Sequence, residues 1–223
     1  VYREGVVHEM RFERGAVSEP LREVGAIPAE ATRKRGTRVT FKPDPTIFPD
    51  TTFSGETLAN RLRELSFLNP GATIRFHDER EKGSTPETFK AERGLLEYVE
   101  HLMSGKTPFS PPVHVIKEDG DTVCEVAMQY HDGYAETMLT FANNIRNVDG
   151  GTHAQGFKVA LTRALNTYAR KAGLIKEKDP TPTGDDLREG LVAIVSVKLP
   201  EPTFNNQPKE KLLNPEIETF VGQ

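Results

Sequence analysis

The chain has 223 residues, 36% of them hydrophobic and 28% charged, with a formal net charge of −4. That balance fits a globular protein with a well-charged surface, in one large domain or two small ones. It excludes a dedicated nucleic-acid binder of the strongly basic kind. No apolar run approaches the ~18 residues of a membrane span. The single cysteine, Cys124, excludes an internal disulfide framework and suits a reducing compartment. The six histidines show no metal-ligand spacing.

Residues 1 to 24 read as an antiparallel hairpin, with Val6, His8, Met10 and Phe12 alternating against Val7, Glu9 and Arg11, and Glu13-Arg14-Gly15 turning the chain. A loop follows to Gly36 and contains the basic run Arg33-Lys34-Arg35, expected on the solvated surface. Gly36 to Phe41 is predicted as a strand that ends at Pro43. Ser54 to Leu68 has the periodicity of an amphipathic helix burying Leu58, Leu62 and Leu65, and Asn69-Pro70-Gly71 stops it. Ala72 to Asp78 alternates as a strand, and Glu79 to Thr85 is a polar loop.

A boundary is expected between 87 and 93. Beyond it, 94–103 is predicted helical, with Leu95, Val99 and Leu102 inward. Three strands follow at 113–118, 122–130 and 134–142. The last two are expected to form a hairpin around Asp132-Gly133, a dipeptide favoured in two-residue type I′ turns. The longest helix reads from His153 to Lys171, with Phe157, Ala160, Leu161, Ala164, Leu165 and Tyr168 as one stripe and Thr152 as its N-cap. A charged connector covers 173–181. Asp185 and Asp186 stand at the start of a short helical turn as caps. Leu191 to Val195 is apolar without alternation, the pattern of a strand buried on both faces. A final helix is expected to open at Lys209. There is no internal repeat and no low-complexity tract.

The segment Asn143-Asn144-Ile145-Arg146-Asn147-Val148-Asp149-Gly150-Gly151-Thr152-His153 joins a strand to the long helix through a glycine pair. It resembles the Asn-Asn-Ile…Asp-Gly-Gly-Thr-His signature of the ATPase subunits of type IIA DNA topoisomerases. The resemblance runs the length of the chain through collinear stretches at 3–5, 36–41, 61–69, 183–191, 193–198 and 207–212. Bacterial gyrase and topoisomerase IV share these motifs. The resemblance implies an α+β architecture in two parts. Residues 1–91 would be the C-terminal half of a GHKL-type ATPase domain, and residues 92–223 a transducer domain with a ribosomal-protein-S5-like fold. Val1 would then fall within a strand of a longer protein. The family's general base, its Mg²⁺-binding asparagine, its adenine-binding aspartate and its glycine-rich lid are expected upstream of Val1.

The same resemblance assigns candidate site residues. Gln207 and Lys209 match two residues of a Gln-Thr-Lys loop whose side chains contact the γ-phosphate of ATP, Pro208 replacing the threonine. An ammonium is a compact point charge suited to a phosphate oxygen. Proline removes one backbone donor at 208 without touching the two side chains. Thr37 and Val39 match adenine-pocket positions, and Arg3 an arginine at the mouth of that pocket. Arg163 is the candidate for contact with the transported DNA duplex. No metal ligands are expected in this chain, and ATP with Mg²⁺ is the implied nucleotide. The implied partners are a second ATPase subunit, the DNA-cleaving partner (the A subunit in gyrase) and double-stranded DNA, in the cytoplasm.

From the residues alone, Asp149, Thr152 and His153 have no nucleophile at a suggestive spacing and read as loop bracing and helix capping. A rival reading is a non-enzymatic nucleic-acid-binding module on an S5-like fold. It would need a basic face over residues 134–141, where Glu136 stands.

Overall fold

The computed structural model describes residues 1–31, 34–80, 83–176 and 178–223. Arg33 of the basic run, Glu81 and Lys82 of the polar loop, and Glu177 of the charged connector lie outside the described residues. The chain forms two compact units, Val1–Ser54 and Gly55–Gln223.

The first unit is a three-stranded antiparallel meander of β1 (Tyr2–Arg3), β2 (Val6–Glu13) and β3 (Ala16–Ala26). Both connections are two-residue turns with positive φ at each central position: Glu4 and Gly5 at 51° and 82°, Arg14 and Gly15 at 50° and 82°. That is the type I′ signature, whose twist matches the flanking strands. Arg14 Nε also donates to Asp44 at 2.9 Å. The strand expected at 36–41 does not form. Gly36 makes one antiparallel bridge to Tyr2, and residues 37–41 lie outside any strand. A strand persists only where a ladder satisfies its backbone groups, and β1 offers two residues before it turns away at Glu4.

The second unit contains α1 (Gly55–Leu68), β4 (Thr73–Phe76), β5 (Glu87–Lys90), α2 (Leu95–Leu102), β6 (Val113–Asp119), β7 (Thr122–Tyr130), β8 (Thr137–Ala142), β9 (Ile145–Arg146), α3 (Thr152–Lys171), β10 (Leu191–Lys198) and α4 (Pro215–Gly222). A 3₁₀ turn, Asp186–Arg188, precedes β10. β4 and β5 pair as a small antiparallel ribbon. The main sheet has the order β6-β7-β10-β8-β9. β10 is its centre, antiparallel to β7, with Ile194 opposite Ala127, and parallel to β8, with Ile194 opposite Leu139.

Every residue of β10 from Leu191 to Val197 is buried, as the unalternating apolar run required. Pleating divides them between two cores. Val192 and Ile194 pack with Leu95, Val99, Leu139 and Phe141 on the α2 face. Leu191, Ala193 and Val195 pack with Phe157 and Leu161 on the α3 face. Val197 joins Cys124, Ala142, Leu212 and Ile217 in a third cluster. α1 closes against α2, where Leu68 shares the Leu95 core and the Phe67 ring stacks on Tyr98 at 4.8 Å. The boundary drawn from sequence between 91 and 92 falls inside this unit.

Five local expectations need correction. β7 and β8 do not form a hairpin, because β10 lies between them. Asp132 instead donates its N–H to Thr107, and Gly133 donates to His131 Nδ1 at 2.9 Å. The tight two-residue hairpin is β6–β7, across Gly120-Asp121, with Gly120 at φ 56°. On α1 the buried residues are Ala59, Ser66 and Leu68, while Leu58 is exposed. The inward face is rotated from the leucine stripe: Leu68 and Phe67 pack against Leu95 and Tyr98 of α2.

On α3 the apolar stripe holds at Phe157 and Leu161, but Ala164 and Tyr168 are exposed, since the sheet ends before the helix does. Thr152 is the first helical residue and not the N-cap. Gly151 occupies the cap, and Thr152 Oγ1 is buried with no hydrogen-bond partner among the described residues. The last helix opens at Pro215, whose fixed φ suits the first turn, and not at Lys209, which has φ 64°.

Candidate phosphate-contacting loop and its brace

The signature segment leaves β8 through two left-handed asparagines, Asn143 at φ 48° and Asn144 at 64°. Asparagine tolerates this region because its short amide can bond locally. Asn143 uses both ends of its amide on one residue. Its Nδ2 donates to the Leu199 carbonyl at 2.8 Å, and its Oδ1 accepts the Leu199 N–H at 2.9 Å. This ties the loop to the end of β10. Asn144 faces the other way. Its Nδ2 donates to Asn69 Oδ1 at 2.9 Å, and its carbonyl accepts from Arg61 Nη2 at 2.9 Å. Arg61 also pairs with Glu64, and Glu64 accepts the Tyr98 hydroxyl at 3.0 Å.

The segment then turns under Thr140. The Asn147 N–H donates to the Thr140 carbonyl, and Thr140 Oγ1 donates back to the Asn147 carbonyl, each at 2.8 Å. From here it becomes a template for residues 209–212. Asn147 Nδ2 donates to the Lys209 carbonyl at 2.7 Å. The Asp149 N–H donates to the Glu210 carbonyl at 3.0 Å. Leu212 donates to the Gly150 carbonyl and accepts from the Thr152 N–H, both at 3.1 Å. The glycine pair is required for this approach. A Cβ on Gly151 would stand 2.3 Å from the Leu212 oxygen and 2.6 Å from its nitrogen. Further along the helix, a Cβ on Gly156 would stand 2.5 Å from the Glu218 oxygen, so α3 and α4 pack at backbone distance.

Gln207, Pro208 and Lys209 form the exposed tip of the braced loop. The base of the loop is closed by Asn205, whose Oδ1 accepts the Lys211 N–H at 2.9 Å, and by the Lys209 N–H donating to Asn206 at 3.1 Å. The Lys209 ammonium lies 5.5 Å from the Phe204 ring centroid. Among the described residues it has no carboxylate partner, so its charge is available to an anion. Beside the brace is a groove of about 640 Å³ lined in part by Arg146, Lys158, Lys211 and Asp149.

The remaining candidates are placed as follows. Arg3, Thr37 and Val39 belong to the first unit and are exposed, Val39 at 79%. Arg3 pairs with Glu4 at 3.1 Å, and the reciprocal Tyr2–Gly36 backbone bonds set its strand beside the segment that carries Thr37. Arg163 is exposed on α3, and its Nη2 donates to the Gly222 carbonyl at the end of α4.

His153 is fully buried, neither ring nitrogen has a hydrogen-bond partner among the described residues, and burial pushes its imidazole down to about 4. It is therefore neutral near pH 7, and neither it nor Thr152 caps the helix through a side-chain hydrogen bond among the described residues, contrary to the capping expected of them. Asp186 does not cap the 3₁₀ turn through the turn's own N–H groups. It accepts from the N–H and hydroxyl of Thr183, both at 2.7 Å, and these bonds hold its carboxyl below the usual range. Asp185 pairs with Arg188, which also reaches Glu136 at 3.2 Å. Cys124 is buried, and desolvation pushes its thiol up to about 11. Among the described residues no group of three His, Cys, Asp or Glu side chains is placed to hold a metal ion. No described helix is long and apolar enough to cross a membrane.

Sequence reasoning missed the brace itself. Asn147 lies 62 positions from Lys209 in the chain, and Arg61 and Asn69 lie 83 and 75 from Asn144. The one local signal was the Gly150-Gly151 pair, which announces a close backbone approach without naming the partner.

The fold is that of the ATPase regions of type II DNA topoisomerases. The 43K ATPase domain of Thermus thermophilus gyrase B, solved in complex with an aminocoumarin, matches with a TM-score of 0.79 and 46% identity over 100% of this chain and 59% of that one. The topoisomerase IV ATP-binding domain of Francisella tularensis matches with a TM-score of 0.79 but 26% identity, covering 99% of this chain and 58% of the other. The DNA gyrase B family profile covers residues 94–223, and the chain belongs to that family. The DNA gyrase B protein of Halalkalibacterium halodurans is 47% identical over 99% of the chain, which spans 34% of that relative's length.

Proposed function

We propose that this chain is part of the ATPase region of a gyrase B protein. In this reading ATP binding and hydrolysis drive closure and reopening of two such subunits, and so the passage of one DNA duplex through another and negative supercoiling. The partners would be a second copy of gyrase B, the gyrase A protein and double-stranded DNA, in the cytoplasm. Residues 1–91 would be the C-terminal half of the GHKL-type ATPase domain, with Arg3, Thr37 and Val39 at the adenine pocket. Residues 92–223 would be the transducer, with Arg163 toward DNA. The equivalent role in topoisomerase IV is the alternative, and the higher identity to gyrase B weighs against it.

One observation carries the proposal: the loop bearing Gln207 and Lys209 is exposed at its tip, anchored at its base by the family's signature segment, and carries a lysine without a carboxylate partner among the described residues. The chemistry of these two side chains fits ATP, since an amide N–H and an ammonium are donors to phosphate oxygens. Bound ATP with Mg²⁺ would supply the transferable phosphoryl group, and the metal's ligands would lie outside these residues. The work of this chain is positional and electrostatic. Lys209 would hold positive charge where negative charge shifts as the phosphoryl group leaves. A ligand drives closure only through contacts that are better in the closed state, and a side chain delivered by the braced loop is such a contact.

The test is Lys209→Ala in a full-length subunit carrying this chain. ATP turnover should fall at least ~10²-fold, the lower end for removing one such contact. ADP affinity should stay within about threefold, under ~0.7 kcal/mol. Near-normal turnover would make Lys209 an ordinary surface lysine and sink the proposal.

A further inference from the structure

We infer that Asn147 is a positioning residue for ATP turnover, acting through the Lys209 backbone; the inference rests on the phosphate-contacting reading of Lys209. Asn147 is only 2% exposed, although it lies in a loop between a two-residue strand and a helix. Its main chain is clamped on both sides by Thr140. That leaves its amide group little freedom, and the Nδ2 donates to the Lys209 carbonyl at 2.7 Å.

The bond falls at a residue that needs it. Lys209 has φ 64°, a region costly for a non-glycine side chain, and held here only because its surroundings impose it. Its N–H is fixed to Asn206 on one side and its carbonyl to Asn147 on the other. Both peptide groups flanking the Lys209 Cα are therefore oriented, which sets the direction in which its side chain leaves the loop. Asn147 Oδ1 has no partner among the described residues, so the amide's single hydrogen bond goes to the Lys209 carbonyl. The donor is needed there, and an oxygen in its place would face an oxygen. Asn147 thus lets the signature segment set the lysine's aim without touching nucleotide.

The experiment compares Asn147→Asp, Asn147→Ala and Lys209→Ala, singly and combined, in a full-length subunit carrying this chain. Asn147→Asp keeps the shape and removes the donor; Asn147→Ala removes it without adding charge, should the buried carboxylate impair folding. Either should lower kcat for ATP at least ~10-fold while leaving ADP affinity within about threefold. In the Lys209→Ala background neither should lower kcat further, because there is no ammonium left to aim. In this chain itself, trypsin cleavage after Lys209 should quicken in the variants. A kcat within twofold of the parent for a folded variant overturns the inference, as does an equal loss of kcat with or without Lys209, which would mark a general structural effect. Normal turnover by Lys209→Ala alone would instead overturn the phosphate-contacting reading beneath it.

Discussion

Gly151→Ala tests whether the signature segment holds the following loop by backbone contact. Gly151 sits at φ 135° and ψ −161°, a region open essentially only to glycine, and occupying it with alanine costs ~1–3 kcal/mol. The new Cβ would also meet three backbone atoms of Leu212, at 2.3, 2.6 and 2.9 Å. These atoms cannot swing aside as a side-chain tip can, and overpacking of this kind adds ~1–3 kcal/mol. The sum is ~2–6 kcal/mol. Gly173→Ala isolates the conformational part, since Gly173 has φ 71° with nothing within 4 Å of its would-be Cβ; it should cost ~1–2 kcal/mol. Urea denaturation of the whole chain, followed by circular dichroism, gives both numbers. If Gly151→Ala costs no more than Gly173→Ala, the Gly151–Leu212 approach does not hold the loop, and the brace has been misread.

Leu161→Ala should cost ~2–5 kcal/mol by the same measurement, because Leu161 is buried among Phe157, Leu191, Ala193 and Val195. Tyr168→Ala, on the exposed end of the same helix, should stay within ~0.5 kcal/mol. The depressed His153 gives a signed pH dependence: the unfolded imidazole takes up its proton near 6.5 and the folded one only near 4, so stability is full above pH 6.5 and falls as pH drops toward 4. The loss should approach about 3 kcal/mol at roughly 1.4 kcal/mol per unit, and His153→Leu should flatten the unfolding midpoint across that window. Residues 55–223 expressed alone should give a dispersed amide spectrum and one cooperative transition. A piece starting at Glu92 should unfold at lower urea, since it loses the Phe67–Tyr98 stack and Leu68 from the core; equal midpoints would show that α1 contributes nothing to that core.

Local chemistry was enough to read several of the second half's elements from sequence. Leu191 to Val195 reads as a strand buried on both faces, which β10 is, and the 3.6-residue period placed α3 to within a residue of its observed start. Arg14-Gly15 turns the hairpin through two adjacent positive φ values, which Gly15 adopts freely and Arg14 adopts as an uncommon non-glycine case. The collinear motifs carried the family and, with it, the α+β class. Sequence could not say which strand lies beside which. Asp132-Gly133 looks like a hairpin turn, yet β10 separates the two strands it joins. β10 is admitted there because Gly190 comes so close to the carbonyls of His131 and Gly133 that a Cβ would be 2.5 Å from each. Pairing depends on partners dozens of residues away, and no local preference encodes them.

The same holds for the candidate site. Lys209 was legible as a residue but was read into a helix, whereas the long-range bonds from Asn147 and the Gly150–Leu212 pair hold it in a loop with left-handed backbone. The strand expected at 36–41 depended in the same way on a neighbour, and β1 provides it one bridge. Propensity and period set what each segment can become. Which backbone groups find partners across the chain is a property of the assembled fold, and that decided both the strand order and the aim of the lysine.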